Sequence, residues 1–228
     1  MSRAITMERI AESSPRLKAR IAGVFYLLTI LTGIFAQGFV SERLVVANDA
    51  AATATNILAH KSFFQLGFSV YMIEMACQIV ITGLFYELLK PAGRSISLVA
   101  AFLGLAGCII KTVSRLFYIA PLFILGGAPY LNAFSGAQLQ ALALLFLKVN
   151  DHGAAIALVF FGFYALLTGY LIIRSTFLPQ VLGVLGMFGG LGWLIFLYPP
   201  FGYSLFPTLQ PSAFSGQSCY SCGSSCSA

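Results

Sequence analysis

At 228 residues the chain could form one or two soluble domains, yet 59% of it is hydrophobic and only 9% is charged, against about 25% charged in soluble proteins. That balance excludes a water-soluble globular protein, whose surface needs more polar groups than this chain owns, and makes the lipid bilayer its expected partner. The net charge of +6 does not argue for nucleic acid, because five of the thirteen basic residues (Arg3, Arg9, Arg16, Lys18 and Arg20) precede the first apolar run and read as a cytoplasmic anchor.

Residues 1–20 form a basic, polar segment in which Glu8 and Glu12 stand at helical spacings from Arg9 and Arg16, and Pro15 interrupts any helix. Residues 21–40 are the first predicted span, since ~20 apolar residues at 1.5 Å rise match a hydrocarbon core of ~30 Å. The run is longer than a signal-peptide core and no clear small-x-small site follows it, so it is expected to stay as an uncleaved anchor. Asn48 or Asp49 then caps a short alanine-rich helix outside the bilayer, ending near His60.

The second span covers residues 63–89 and carries Glu74 and Gln78. A tight basic turn, KPAGRS, leads to the third span at 95–125, which carries Lys111 and Arg115, with a kink expected at Pro121. After a loop at 126–136, residues 137–148 form an amphipathic helix whose stripe is Leu139, Leu142, Leu145 and Phe146. This helix either lies at the outer interface or leads straight into the fourth span, 153–173, which Asp151 is expected to cap. A turn through Phe177 and Pro179 reaches the fifth span at 181–198, closed by Pro199 and Pro200. The expected fold is all-α: one polytopic transmembrane bundle over 21–200, with about five spans and one short outer helix.

Basic residues set the expected orientation. With the N-terminus in the cytoplasm, the inner segments hold Arg3, Arg9, Arg16, Lys18, Arg20, Lys90, Arg94 and Arg174, and the outer ones hold Arg43, Lys61 and Lys148. The expected location is therefore the cell membrane, multi-pass, as in a bacterial inner membrane.

Charge within a span costs at least ~2.5–3.5 kcal/mol per residue on insertion scales, so such residues pair or line a cavity. Glu74 and Lys111 lie equally far from the centre of the turn between Ala92 and Gly93, which puts them at one depth on antiparallel helices. Arg115 lies one turn further out, level with Val70 or Tyr71. Tyr71, Glu74 and Gln78 share one helix face, as do Lys111 and Arg115. The cluster reads as a structural ion pair setting helix register, as a site for an anion or for proton coupling, or as cations snorkelling to the outer surface.

The run GVLGMFGGLGWL lacks the strand and the acidic residue that a dinucleotide loop needs. Gly183, Gly186, Gly189 and Gly190 instead thin one side of a helix for close packing, and such faces also suit contact with a second copy of the chain. Cys77 and Cys108 read as small hydrophobes. His60 and His152 have no ligand-type partners at useful spacing, and Ser114 is in no recognisable catalytic setting, so no metal, cofactor or catalytic residue is expected.

Three stretches resemble one bacterial membrane family. They are RIAGVFYLLTILTGIFAQGFV at 20–40, NDAAATATNILAHKSFFQLGF at 48–68 and LVFFGFYALLTGYLIIRSTFLPQVLGVLG at 158–186, and the GWL at Trp193 also fits. Together they are similar to the domain of unknown function 4386. The resemblance implies a multi-pass membrane protein, carries no known active residues, and implies a further apolar segment at the end, a sixth span.

Residues 201–228 break that pattern and are expected to form an irregular tail. GQSCYSCGSSC, read one base earlier, permits G-A-I-L-L-Q-L-W-L-L-V, an apolar helix. The tail is therefore expected to be out of frame from about 207–210. Its rivals are a palmitoylated tail or a zinc site on Cys219, Cys222 and Cys226, for which no fourth ligand is near.

Three functions stay open: a non-catalytic structural or regulatory bundle, which leads; a small-solute or proton-coupled transporter using the charge cluster; and an intramembrane enzyme on a lipid-soluble substrate.

Overall fold

A computed structural model describes residues 15–175 and 178–198, without the side chains of Pro15 and Arg16. Most of the basic segment 1–20, the turn at Phe177, the closing Pro199 and Pro200, and the irregular tail with its three cysteines lie outside the described residues.

The first helix among the described residues is α1 (Pro15–Ile34). The helix continues into a π-helical segment, Phe35–Ser41, in which the Glu42 N–H reaches five residues back to the Gln37 carbonyl, and then into a last turn, Glu42–Leu44. One face of α1 and its continuation, through Ala22, Ala36, Val40 and Leu44, is buried, Phe25 and Phe35 are half-buried, and most of the other large side chains are exposed.

Asn48 takes the left-handed conformation, at φ 63°, so the cap falls to Asp49. The Asp49 carboxylate accepts from the Ala52 N–H at 2.8 Å and starts α2 (Ala50–Ala59). The Thr53 hydroxyl accepts from the Val46 N–H at 3.0 Å and donates to the Val46 carbonyl at 3.1 Å, latching α2 onto the preceding loop. Asp49→Ala should cost about 0.5–2 kcal/mol of α2 stability. Hydrogen exchange checks this: the amides of residues 51–56 should exchange faster while those of the long helices do not change.

His60 breaks the helical line, and α3 (Lys61–Leu89) follows. The turn at 90–93 leads to α4 (Arg94–Ile124), which accommodates Pro121 three residues before its end. After a loop with a short 3-10 turn, Pro129–Leu131, a capping box begins α5: Gln138 N–H donates to Ser135 Oγ and Ser135 N–H donates to Gln138 Oε1.

α5 runs unbroken over 39 residues, Gly136–Arg174. The amphipathic segment therefore leads straight into the fourth span. Two expectations are corrected. Asp151 caps nothing, because it lies in the middle of a continuous helix, and Ser135 is the cap. The buried stripe of the first turns is Ala143, Leu147 and Asn150, while Leu145 is exposed, because α2 packs against that face. The final helix, α6 (Gln180–Leu194), ends in a 3-10 turn, Ile195–Leu197.

Among the described residues there is no strand, and five helical stretches are long and apolar enough to cross a membrane: Leu17–Leu44, Lys61–Leu89, Arg94–Ile124, Gly136–Arg174 and Gln180–Leu197. The architecture is an all-α bundle in which the long helices pack in chain order: α1 on α3, α3 on α4, α4 on α5, and α5 on α6. At ~58 Å for 39 residues, α5 is longer than the ~30 Å of a hydrocarbon core, and its first turns run past α2. There α2 lies against α5, and one core cluster (Val40, Leu44, Ile57, Phe64, Tyr71, Tyr118 and Leu147) joins the first five helices.

The α5–α6 seam is built on glycine. Gly169 faces Gly183 and Gly162 faces Gly190, seven residues apart on each antiparallel helix. A Cβ on Gly169 would stand 2.6 Å from the Gly183 carbonyl oxygen, and one on Gly190 would stand 2.9 Å from that of Gly162. Gly186 and Gly189 do not join this seam, since a Cβ on either meets nothing within 4 Å. Their spacing rotates them off the line set by Gly183 and Gly190.

Candidate functional site

The charged residues within the described spans, Glu74, Lys111 and Arg115, gather with several polar ones where α1, α3, α4 and α5 meet. Lys111 Nζ, on α4, donates to Glu74 Oε1, on α3, at 2.7 Å. The Lys111 and Glu74 side chains are only 16% and 8% exposed. The turn at 90–93 is short and both helices rise equally, so Glu74 and Lys111 stand at one level.

Arg115, one turn further on, is buried. Its guanidinium carbon lies 3.6 Å from the centre of the Tyr71 ring, a cation–π contact. Its Nη1 donates to Asn150 Oδ1 on α5 at 3.0 Å, and Asn150 Nδ2 donates to Asp151 Oδ1 at 3.0 Å. Asn150 thus bridges a buried cation to a carboxylate, its amide dipole aligned with both.

The Tyr71 hydroxyl donates to Gln37 Oε1 at 2.8 Å and is hydrogen-bonded to Ser41 Oγ at 3.1 Å. Gln37 and Ser41 both belong to the π-helical segment that continues α1, and, four residues apart, they meet one side chain. Tyr118 stacks on Phe64 at 4.5 Å and meets Tyr71 edge-on at 5.2 Å, closing the site with aromatic carbon.

Close backbone approach holds this together. A Cβ on Gly67 would fall 2.7 Å from Val40 Cγ1 and 2.9 Å from the Tyr118 hydroxyl, and one on Gly153 would fall 2.6 Å from Ser114 Cβ. Among the described residues, Glu74 Oε2, Arg115 Nε and the Tyr118 hydroxyl are buried polar atoms with no hydrogen-bond partner in the protein.

Counted at 1.5 Å per residue from Lys90, Arg94 and Arg174, the cluster from Glu74 to Asn150 stands roughly 24–36 Å away. That is about one hydrocarbon thickness. The cluster therefore stands toward the end of the bundle remote from the 90–93 turn, on the side where α2 packs.

Of the residues singled out by sequence, Tyr71, Glu74, Lys111 and Arg115 come together. Gln78 is half-buried on the same face, and no hydrogen bond of its side chain joins it to them. Sequence reasoning missed Gln37, Ser41, Tyr118 and Asn150, and gave Asp151 another role. Ser114 spends its hydroxyl on the Lys111 carbonyl at 2.7 Å, and His152 Nδ1 donates to the Lys148 carbonyl at 2.9 Å. Cys77 and Cys108 are buried free thiols. Among the described residues no group of three or more His, Cys, Asp or Glu side chains gathers as a metal site would require.

The family described as a domain of unknown function, DUF4386, matches residues 21–213 of the chain. No curated protein and no solved structure matches it.

Proposed function

We propose, from the premise that the chain belongs to the DUF4386 family, that it is a non-catalytic, multi-pass protein of the cell membrane whose polar cluster locks its helices in register. The observation that supports this reading is the Glu74–Lys111 bond of 2.7 Å, set among close-packed side chains that tie four helices together. A lone charge there costs more than a satisfied pair. The cluster is thus suited to specifying how α1, α3, α4 and α5 meet.

The second reading is a transporter of a small solute or of protons. It is favoured by three buried polar atoms of the cluster that lack a protein partner, Glu74 Oε2, Arg115 Nε and the Tyr118 hydroxyl; the Tyr164 hydroxyl, outside the cluster, also lacks one. Reconstitution into liposomes holding a pH-sensitive dye separates the two. A locking cluster predicts proton flux under an imposed gradient no greater than in empty liposomes. Flux present in the wild type and lost in a folded Glu74→Gln protein would replace the first reading with the second.

In this proposal the N-terminus and the turn at 90–93 face the cytoplasm, because the basic residues collect there. A cysteine placed at Asn48 should react with an impermeant maleimide added outside intact cells, and one placed at Gly93 should react only after lysis. The reverse pattern overturns the orientation.

A further inference from the structure

The two ends of the bundle differ sharply in charge. Among the described residues, the end with the 90–93 turn carries Lys18, Arg20, Lys90, Arg94 and Arg174 against Glu87 alone, five minus one, or net +4. The opposite end carries Arg43, Lys61 and Lys148 against Glu42, Asp49 and Asp151, three minus three, or zero. Lys18 is partly neutralised by Glu87, at 3.9 Å. The other four have no carboxylate partner among the described residues.

Three of those four adjoin, in the chain, the residues of one apolar cluster. The turn at 90–93 closes onto the end of α5, where a Cβ on Gly93 would lie 3.0 Å from Leu171 Cδ2. Leu89, Leu171 and Ile172, with Phe85, Ala92, Ile96 and Leu178, form one apolar cluster there. Lys90 and Arg94 flank this cluster from the turn, and Arg174 flanks it from α5.

Two of the cations are held in the same way. The Lys90 ammonium lies 5.8 Å from the centre of the Tyr86 ring, and the Arg174 guanidinium lies 5.6 Å from that of Tyr170 while donating to its hydroxyl at 3.1 Å. Each pair is a tyrosine and a cation four residues apart at a helix end. Tyrosine at the membrane edge sits at headgroup level, so both cations are set at that depth beside apolar surface.

We propose that Lys90, Arg94 and Arg174 form a binding site for the phosphate of an anionic phospholipid, with the acyl chains lying along the exposed apolar sides of the bundle. The chemistry is a phosphate monoanion attached to two hydrocarbon chains. The cations meet the phosphate, and the aliphatic surface below them meets the chains. Basic patches at the ends of membrane helices recognise such lipids largely by charge. The site rests on the chain being a membrane protein and not on the Glu74 cluster.

The test is native mass spectrometry of the full chain in detergent, titrated with phosphatidylglycerol and, separately, phosphatidylcholine. The wild type should retain phosphatidylglycerol preferentially, less so at high salt. Arg94→Gln, at an exposed position, should weaken that preference about fivefold, and Lys90→Gln with Arg174→Gln added should remove about as much again per charge. Arg43→Gln/Lys61→Gln/Lys148→Gln at the other end should leave it unchanged. Equal retention of both lipids by the wild type overturns the site, as does an undiminished preference in the triple variant. Displacement of the lipid by equimolar inorganic phosphate would show that free phosphate is the ligand and overturn the lipid assignment. Resistance of the wild type to alkaline extraction from membranes tests membrane residence by itself, so failure of the site and failure of the membrane reading are told apart.

Discussion

Glu74→Gln and Lys111→Met should each lower the stability of the purified protein by about 3–5 kcal/mol, and the double substitution should recover a large part of that loss. The reason is the 2.7 Å contact between two largely buried side chains. Removing one partner leaves the other as an uncompensated charge among apolar side chains, whereas removing both leaves two neutral groups of similar volume. The loss should be greater for Lys111→Met, which strands the Glu74 carboxylate: its second oxygen already lacks a partner among the described residues. For Glu74→Gln the amide oxygen can still accept from Lys111. Unfolding in mixed micelles, followed by circular dichroism, gives all four corners of the cycle. Harmless single substitutions whose effects simply add would mean that no such pair exists.

Gly169→Ala should separate α5 from α6 and cost about 1–3 kcal/mol or more, while Gly186→Ala should not destabilise the protein. A methyl group at Gly169 would lie 2.6 Å from the Gly183 carbonyl oxygen and 2.5 Å from Met187 Cγ. The methionine can move, but the backbone carbonyl cannot without shifting the helix. At Gly186 the same methyl group meets open space. The measurement is the thermal midpoint of both variants in one detergent. Equal midpoints would show that the seam does not depend on a glycine contact.

How far the site could be read in advance depended on what each residue needed to know. Glu74 and Lys111 needed only a short turn and a constant helical rise, so equal distance along the chain became equal height. Tyr71 and Arg115 followed from the same ladder. Gln37 and Ser41 needed more, because the face that α1 turns toward Tyr71 is set by its packing on α3, and no composition rule marks Phe35–Ser41 as π-helical. Asn150 needed the packing of α5 on α4. Its signal was present, an Asn-Asp pair in an apolar run, but the same pair also reads as a helix start. The glycines divide for the same reason. GVLGMFGGLG announces a thin helix face, yet only the partner helix, with Gly162 and Gly169 seven residues apart, selects Gly183 and Gly190 over Gly186 and Gly189.

The sequence by itself determined that the chain is all-α, that five stretches suit a membrane, that its basic residues collect at one end, and that Glu74 and Lys111 share a level. These are local or one-dimensional properties: transfer free energy summed along a segment, and position counted along a helix of known rise. Only the tertiary structure decided that Asp151 belongs to a relay through Asn150, that α5 carries α2 on its first turns, and which glycines make the seam. Each of these depends on the rotation of one helix about its axis relative to another, which side-chain packing sets. A nearly uniform apolar sequence says little about that rotation, because every face of such a helix is fit for lipid.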